Sequence, residues 1–222
     1  MAKILAAGDL HTKTWIIDAV EKIMDDYDAI VFVGDYADNW NTGPAYSMAM
    51  WRYLKLFMQE NEKVHAVIGN HDYSYLHKQI AGQSSGWDPT TFALINAPEN
   101  RKVKDWLLEL PPLLELDGVT FSHAGLTEEW DGDTSVTGLW NDASPIWARP
   151  AKHGGRITYK NIPQVIGHNP SEKIWNPQEG IWCIDTFSET PQNQPIGDHT
   201  VLEIIDGKEF LPVKLSEITV VS

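Results

Sequence analysis

The sequence is short of cysteine, of arginine and of long apolar runs, and each shortage removes a class of protein. Cys183 stands alone among 222 residues, so neither an intrachain disulfide framework nor a Cys-rich zinc site is available. Metal binding would have to use imidazole, carboxylate and amide donors, and the lack of thiols points to a reducing compartment. Lysine and arginine total 17 against 31 acidic residues, a formal charge of -14. That excess opposes broad capture of nucleic acid or of an anionic membrane surface. An anionic substrate would need local compensation, which clustered carboxylates loaded with divalent cations can supply. The opening stretch MAKILAAGDLHT carries one lysine and a brief apolar run ended by Asp9, too short for a secretory core or a membrane span. The expectation is a soluble, cytoplasmic protein.

What the chain does have is 42% hydrophobic residues, enough for one substantial core, and we expect a single domain over residues 1–222. No internal repeat or interdomain linker is visible. The first third alternates short apolar runs with helical spacing, the pattern of βαβ units. Strands are predicted at 2–7, 29–33 and 63–68, and helices at 12–27 and 45–61, with Thr12 capping the first. A further helix is expected near 100–110, stopped by Pro111 and Pro112. Asp117-Gly118 reads as a hairpin turn between two strands, the second delivering His123. Later strands are expected at 163–167 and 180–185, followed by a terminal hairpin over 200–215. Residues 137–161, rich in Gly, Pro and Trp, should be irregular. Trp15, Trp51 and Trp106 fall at apolar helical positions and are expected in the core.

The predicted strands share an unusual ending. Five of them exit into Asp9 and His11, Asp35, Asn70 and His71, His123, and His168. One Gly-Asp after a strand is a common turn, and one histidine at a core edge is ordinary. Turn formation gives no reason for imidazoles at several exits together, and ligands in open α/β sheets gather beyond the carboxyl ends of strands. Mixed oxygen and imidazole donors suit manganese, iron, zinc or a related ion better than calcium. Asp35 stands alone at its exit and is the natural carboxylate to bridge two ions. Such a pair would serve phosphoester hydrolysis by binding the attacking and phosphoryl oxygens.

The stretches GDLH (8–11), GDYAD (34–38), GNHD (69–72), SHAGL (122–126) and GHNP (167–170) resemble, in order, the motifs of the calcineurin-like metallophosphoesterases. The likeness is greatest to the phosphoprotein phosphatase branch, which includes bacterial and phage serine/threonine phosphatases and symmetrical diadenosine tetraphosphate hydrolases. CIDT near the carboxyl end resembles that branch's terminal strand. The resemblance implies an α/β fold, a four-layer αββα sandwich with two divalent ions at the strand ends. Manganese is the first expectation, with iron, zinc, nickel and cobalt as alternatives. It further implies that Asp9 and His11 bind one ion, Asp35 bridges, and Asn70, His123 and His168 complete the other sphere. His71 would protonate the leaving alkoxide, with Asp38 holding its charged form. Asn70 and Arg149, the latter in IWARP, would hold the phosphoryl group, and Arg156 is the second candidate clamp.

Four positions depart from the branch. Asn39 and Trp40 stand where it commonly has arginine and glycine, Asp72 replaces a more usual glutamate, and Thr12 replaces a glycine. The expected substrate is a phosphoprotein, with a dinucleoside polyphosphate or another small phosphoester as the alternative. A rival of a different class is a protein-binding module on the same fold that has lost turnover.

Overall fold

The computed structural model describes residues 2–149 and 161–215. Its frame is two five-stranded mixed sheets packed face to face. In the first, strands β1 (Lys3–Ala7), β2 (Ala29–Phe32) and β3 (Val64–Ala66) run parallel, while β9 (Thr200–Ile205) and β10 (Glu209–Lys214) add antiparallel on the β1 side. In the second, β5 (Val119–Ser122), β6 (Gln164–Ile166) and β8 (Ile181–Cys183) run parallel, flanked by antiparallel β4 (Leu113–Leu116) and β7 (Trp175–Gln178). Each sheet thus contributes three parallel strands.

Alternation along the strands sorts the core. Ile4, Ala6, Val31 and Leu202 of the first sheet pack against Val119, Phe121 and Val165 of the second, sealing the space between the sheets. Leu5, Ala7, Ile30 and Phe32 face the other way, onto helices. These are α1 (Thr14–Glu21), α2 (Pro44–Glu60), α4 (Pro89–Ile95) and α5 (Arg101–Glu109). Between β3 and α4, residues Asn70–Ser74 form the short helix α3, and a further turn, α6, spans Val136–Leu139. This is the expected α/β sandwich, two mixed sheets flanked by helices.

The differences from the sequence reading have local causes. Helix α1 begins at Thr14, and Thr12 does not cap it: Thr12 sits in the left-handed region at φ 66° and gives its hydroxyl to the His11 carbonyl. The chain first has to turn around His11. Trp15 is 42% exposed rather than buried, lying edge-on against Phe187 and His199 at the end of the helix. Trp51 is fully buried as expected, and Trp106 is partly so. Helix α4 was not anticipated, although Asp88 and Pro89 announce it: the Asp88 carboxylate accepts the Thr91 N–H at 2.6 Å. Both Asp-Gly hairpins form as predicted, with Asp117 and Gly118, and Asp206 and Gly207, all at positive φ.

Candidate metal centre

All six parallel strands point their carboxyl ends at one cavity of about 280 Å3. The exits of β1, β2 and β3 supply Asp9 and His11, Asp35, and Asn70 with His71. Those of β5, β6 and β8 supply His123, His168 and Asp185. Folding brings nine of the ten residues proposed from the sequence to this place: Asp9, His11, Asp35, Asp38, His71, Arg149 and His168 line it, and Asn70 and His123 stand behind. Arg156, the second candidate clamp, lies outside the described residues.

The backbone is bent to make this convergence. Asp9, His11, Asp35, Asp38 and His168 all adopt positive φ, between 39° and 65°, a region that costs non-glycine residues of order 1–3 kcal/mol each. Two glycines permit the close approach. A Cβ on Gly69 would collide with the Asp35 carboxylate, and one on Gly167 with that of Asp9.

Around Asp35 the acceptors outnumber the protons. His123 Nδ1 lies 2.9 Å from the Val33 carbonyl, which calls for an N–H there and leaves Nε2 of the neutral ring with a lone pair. That Nε2 faces Asn70 Oδ1 at 2.8 Å, His168 Nδ1 at 3.1 Å and Asp35 Oδ2 at 3.3 Å. His168 Nε2 is buried with no hydrogen-bond partner among the described residues. His11 repeats the arrangement, its Nδ1 2.9 Å from the Asp38 carbonyl and its Nε2 4.0 Å from the same Asp35 Oδ2. Ligand atoms of Asp35, His123 and His168 lie within 4.8 Å of one another, as do those of Asp9, His11 and Asp35. A cation in each cluster would replace missing protons, so the donor set fits a pair of divalent ions sharing Asp35.

The electrostatics agree. Burial, then the charges of Asp185 and Asp35, raise the Asp9 carboxyl well above its ordinary range. Burial pushes Asp35 upward too, but positive charge at the His123 and His71 positions outweighs it and holds this carboxyl well below the usual range, an effect that a cation beside a neutral His123 would supply in its place. Burial, and then the neighbouring His71, lower His11 to about 4, and burial with His123 lowers His168. These rings stay neutral and available as ligands. His71 goes the opposite way: burial opposes its charge, but Asp35 and Asp38 raise it to about 10. Its Nδ1 is 2.5 Å from Asp38 Oδ1, and its Nε2 faces the cavity 3.8 Å from Asp35 Oδ2. Tyr75 steadies the other Asp38 oxygen at 2.8 Å.

Asp72 is no part of the cavity wall. It is fully buried, and its carboxylate takes the N–H groups of Tyr36 and Ala37 and of the Trp51 indole, bracing the loop beyond Asp35. Where the branch has arginine, Asn39 donates to the Glu189 carboxylate at 2.7 Å, and the Trp40 indole donates to the Glu189 carbonyl at 2.9 Å. Lys13 approaches the same carboxylate at 3.5 Å. Arg149 gives one guanidinium nitrogen to the His168 carbonyl at 2.9 Å and to Asn169 Oδ1 at 3.3 Å. Sequence reasoning missed Glu189, which has no motif around it. It also missed Asp185, whose position at a strand exit was the available signal.

Fold and site together define an α/β sandwich with candidate divalent-metal clusters at its strand ends. A family model described as calcineurin-like phosphoesterase matches residues 2–204, and the chain belongs to that family. It is 31% identical over 78 residues to the symmetrical bis(5'-nucleosyl)-tetraphosphatase of Vibrio cholerae, a match covering 35% of this chain and 29% of that protein. The protein of the same description from Chromobacterium violaceum is 33% identical over 106 residues, 46% of this chain and 35% of that one. The matched stretch therefore spans about a third of these curated relatives. Among solved structures, the cold-active protein-tyrosine phosphatase of a psychrophilic Shewanella species superposes with a TM-score of 0.62 at 15% identity, over 96% of this chain and 81% of that one. At that identity the likeness is one of fold.

Proposed function

We propose that this protein is a dinuclear-metal-dependent phosphoester hydrolase and that the chain is one catalytic domain. The observation that carries the reading is the proton-poor convergence of His123 Nε2, Asn70 Oδ1, His168 Nδ1 and Asp35 Oδ2. Asp9 and His11 would hold one ion and Asn70, His123 and His168 the other, with Asp35 shared between them. Manganese is the first choice for both, ahead of iron, zinc, nickel or cobalt. When bound, such a pair supplies Lewis-acid polarisation of the phosphoryl group and acidifies water at neutral pH.

The chain's own residues do the rest. Asn70 and the outer guanidinium edge of Arg149 orient the phosphoryl oxygens. Water attacks phosphorus in line with the ester oxygen, forming one P–O bond as the other breaks. His71, kept as imidazolium by Asp38, passes its Nε2 proton to the departing alkoxide; the new hydrogen phosphate leaves with the oxygen and one proton from water, and water's other proton returns the His71 ring to imidazolium.

The substrate we favour is a phosphorylated serine or threonine in a protein, met in the cytoplasm. Within the described residues no helix is long and apolar enough to cross a membrane. A second reading, a symmetrical dinucleoside polyphosphate, is supported by the descriptions of the curated relatives. A competition among a phosphopeptide, diadenosine tetraphosphate and a mononucleotide on the manganese-loaded protein separates the two. Fastest turnover of the phosphopeptide is expected, and preference for the dinucleotide would install the alternative. Folded protein that leaves para-nitrophenyl phosphate intact across all divalent metals would remove the hydrolase reading and favour the binding module.

A further inference from the structure

Five of the six strand exits at the cavity have work assigned to them, and the sixth does not. Asp185 follows β8 directly, is 1% exposed, and lines the cavity with Asp9, His168 and Ser188. Its carboxylate takes hydrogen bonds from the hydroxyl and N–H of Ser188, but its Oδ1 is buried without a hydrogen-bond partner among the described residues. A carboxylate oxygen left so is costly, and a purely structural aspartate avoids it. Asp72 shows the contrast within the same fold: equally buried, it takes three N–H donors and braces a loop.

Asp185 also adds a negative charge where Asp9 and Asp35 already repel each other, which burdens the metal-free protein. Among the described residues it belongs to no donor cluster whose ligand atoms lie within 4.8 Å of one another. Of the charges that raise the Asp9 carboxyl, its own acts most strongly. We propose that Asp185 is a positioning residue for the ion held by Asp9, His11 and Asp35. Its unpartnered oxygen accepts a hydrogen bond from water ordered by that ion, and its charge offsets the ion's. This rests on the dinuclear reading above. Groups of this kind orient the direct ligands and tune affinity without touching the metal.

The test is to prepare Asp185→Asn and Asp185→Glu metal-free, titrate each with manganese by calorimetry, and follow thermal unfolding with and without the ion. For Asp185→Asn, one of the two ions should bind about 10–100-fold more weakly while the other is nearly unaffected. The metal-free variant should unfold at a higher temperature than wild type, and its gain on adding manganese should shrink. Asp185→Glu, which keeps the charge, should recover part of the lost affinity. A metal-free Asp185→Asn that unfolds earlier than wild type or fails to fold, or that binds both ions with wild-type affinity, would overturn the proposal and leave the dinuclear reading standing. Wild-type protein that binds no divalent ion would instead fail the reading beneath it.

Discussion

The floor of the cavity and its rim are held in different ways. On the floor, four of the six donors are fixed by backbone groups: the Asp9 carboxylate by the His168 N–H, Asp35 by the His71 N–H, His123 by the Val33 carbonyl and His11 by that of Asp38. At the rim, Asn39, Trp40 and Asn41 are held by the distant 189–193 loop through side-chain hydrogen bonds, and Trp40 is 41% exposed. A floor tied to the main chain keeps its geometry as long as the sheets exist, which is what chemistry at a metal pair requires. A rim of side-chain ties can change residue by residue, and it is there that Asn39 and Trp40 replace the branch's arginine and glycine. The proposed function assigns the reaction to the floor and the choice of substrate to the rim.

The comparison predicts that damage falls off from floor to rim. Asp35→Asn should be the most severe change, because it weakens both clusters at once: kcat/KM should fall at least about a thousandfold, equivalent to roughly 4 kcal/mol, with less manganese bound. His71→Asn should lower kcat about 100–10,000-fold on a phosphopeptide, whose alkoxide needs a proton. On para-nitrophenyl phosphate, whose leaving group departs unaided, the loss should be much smaller. Equal losses on both would remove His71 as the acid.

The His71–Asp38 pair makes a prediction about pH. Despite burial, Asp35 and Asp38 raise the ring from 6.5 to about 10 in the folded protein. Its protonation therefore stabilises the fold fully below pH 6.5, and that contribution is lost as pH rises toward 10. Denaturant midpoints of the metal-free protein should fall across this window, and Asp38→Asn should flatten the fall. An unchanged slope in the variant would contradict the pairing.

Asp72→Ala should act mainly on stability, costing about 1–3 kcal/mol because it strands buried N–H donors of Tyr36, Ala37 and Trp51. Smallest of all, Trp40→Ala should raise KM for the physiological substrate by about 3–10-fold, the scale of one lost aromatic contact, and leave kcat alone. A rim substitution that lowers kcat as much as a floor substitution would erase the distinction between the two.

The sequence was informative in the same graded way. Strand exits carrying Asp9, Asp35, Asn70, His123 and His168 could be read because imidazoles there have no turn-forming purpose, and the structure gathers them. Asp185 lies in the CIDT stretch that resembles the branch's terminal strand, but nothing in the sequence gives it a role, and only its burial and its unpartnered oxygen distinguish it. Thr12 resembled a helix cap because capping and turning use the same residue types, whereas its backbone is left-handed. Glu189 could not be found from local pattern at all. Its partners Asn39 and Lys13 lie about 150 and 176 residues away in the chain, and nothing around it is periodic.

The most direct measurement is a manganese titration of the metal-free protein followed by electron paramagnetic resonance. Asp35 Oδ2 stands between His123 and His11, so the account predicts two ions per chain with the spectrum of a magnetically coupled pair. One isolated ion, or two that do not sense each other, would contradict it.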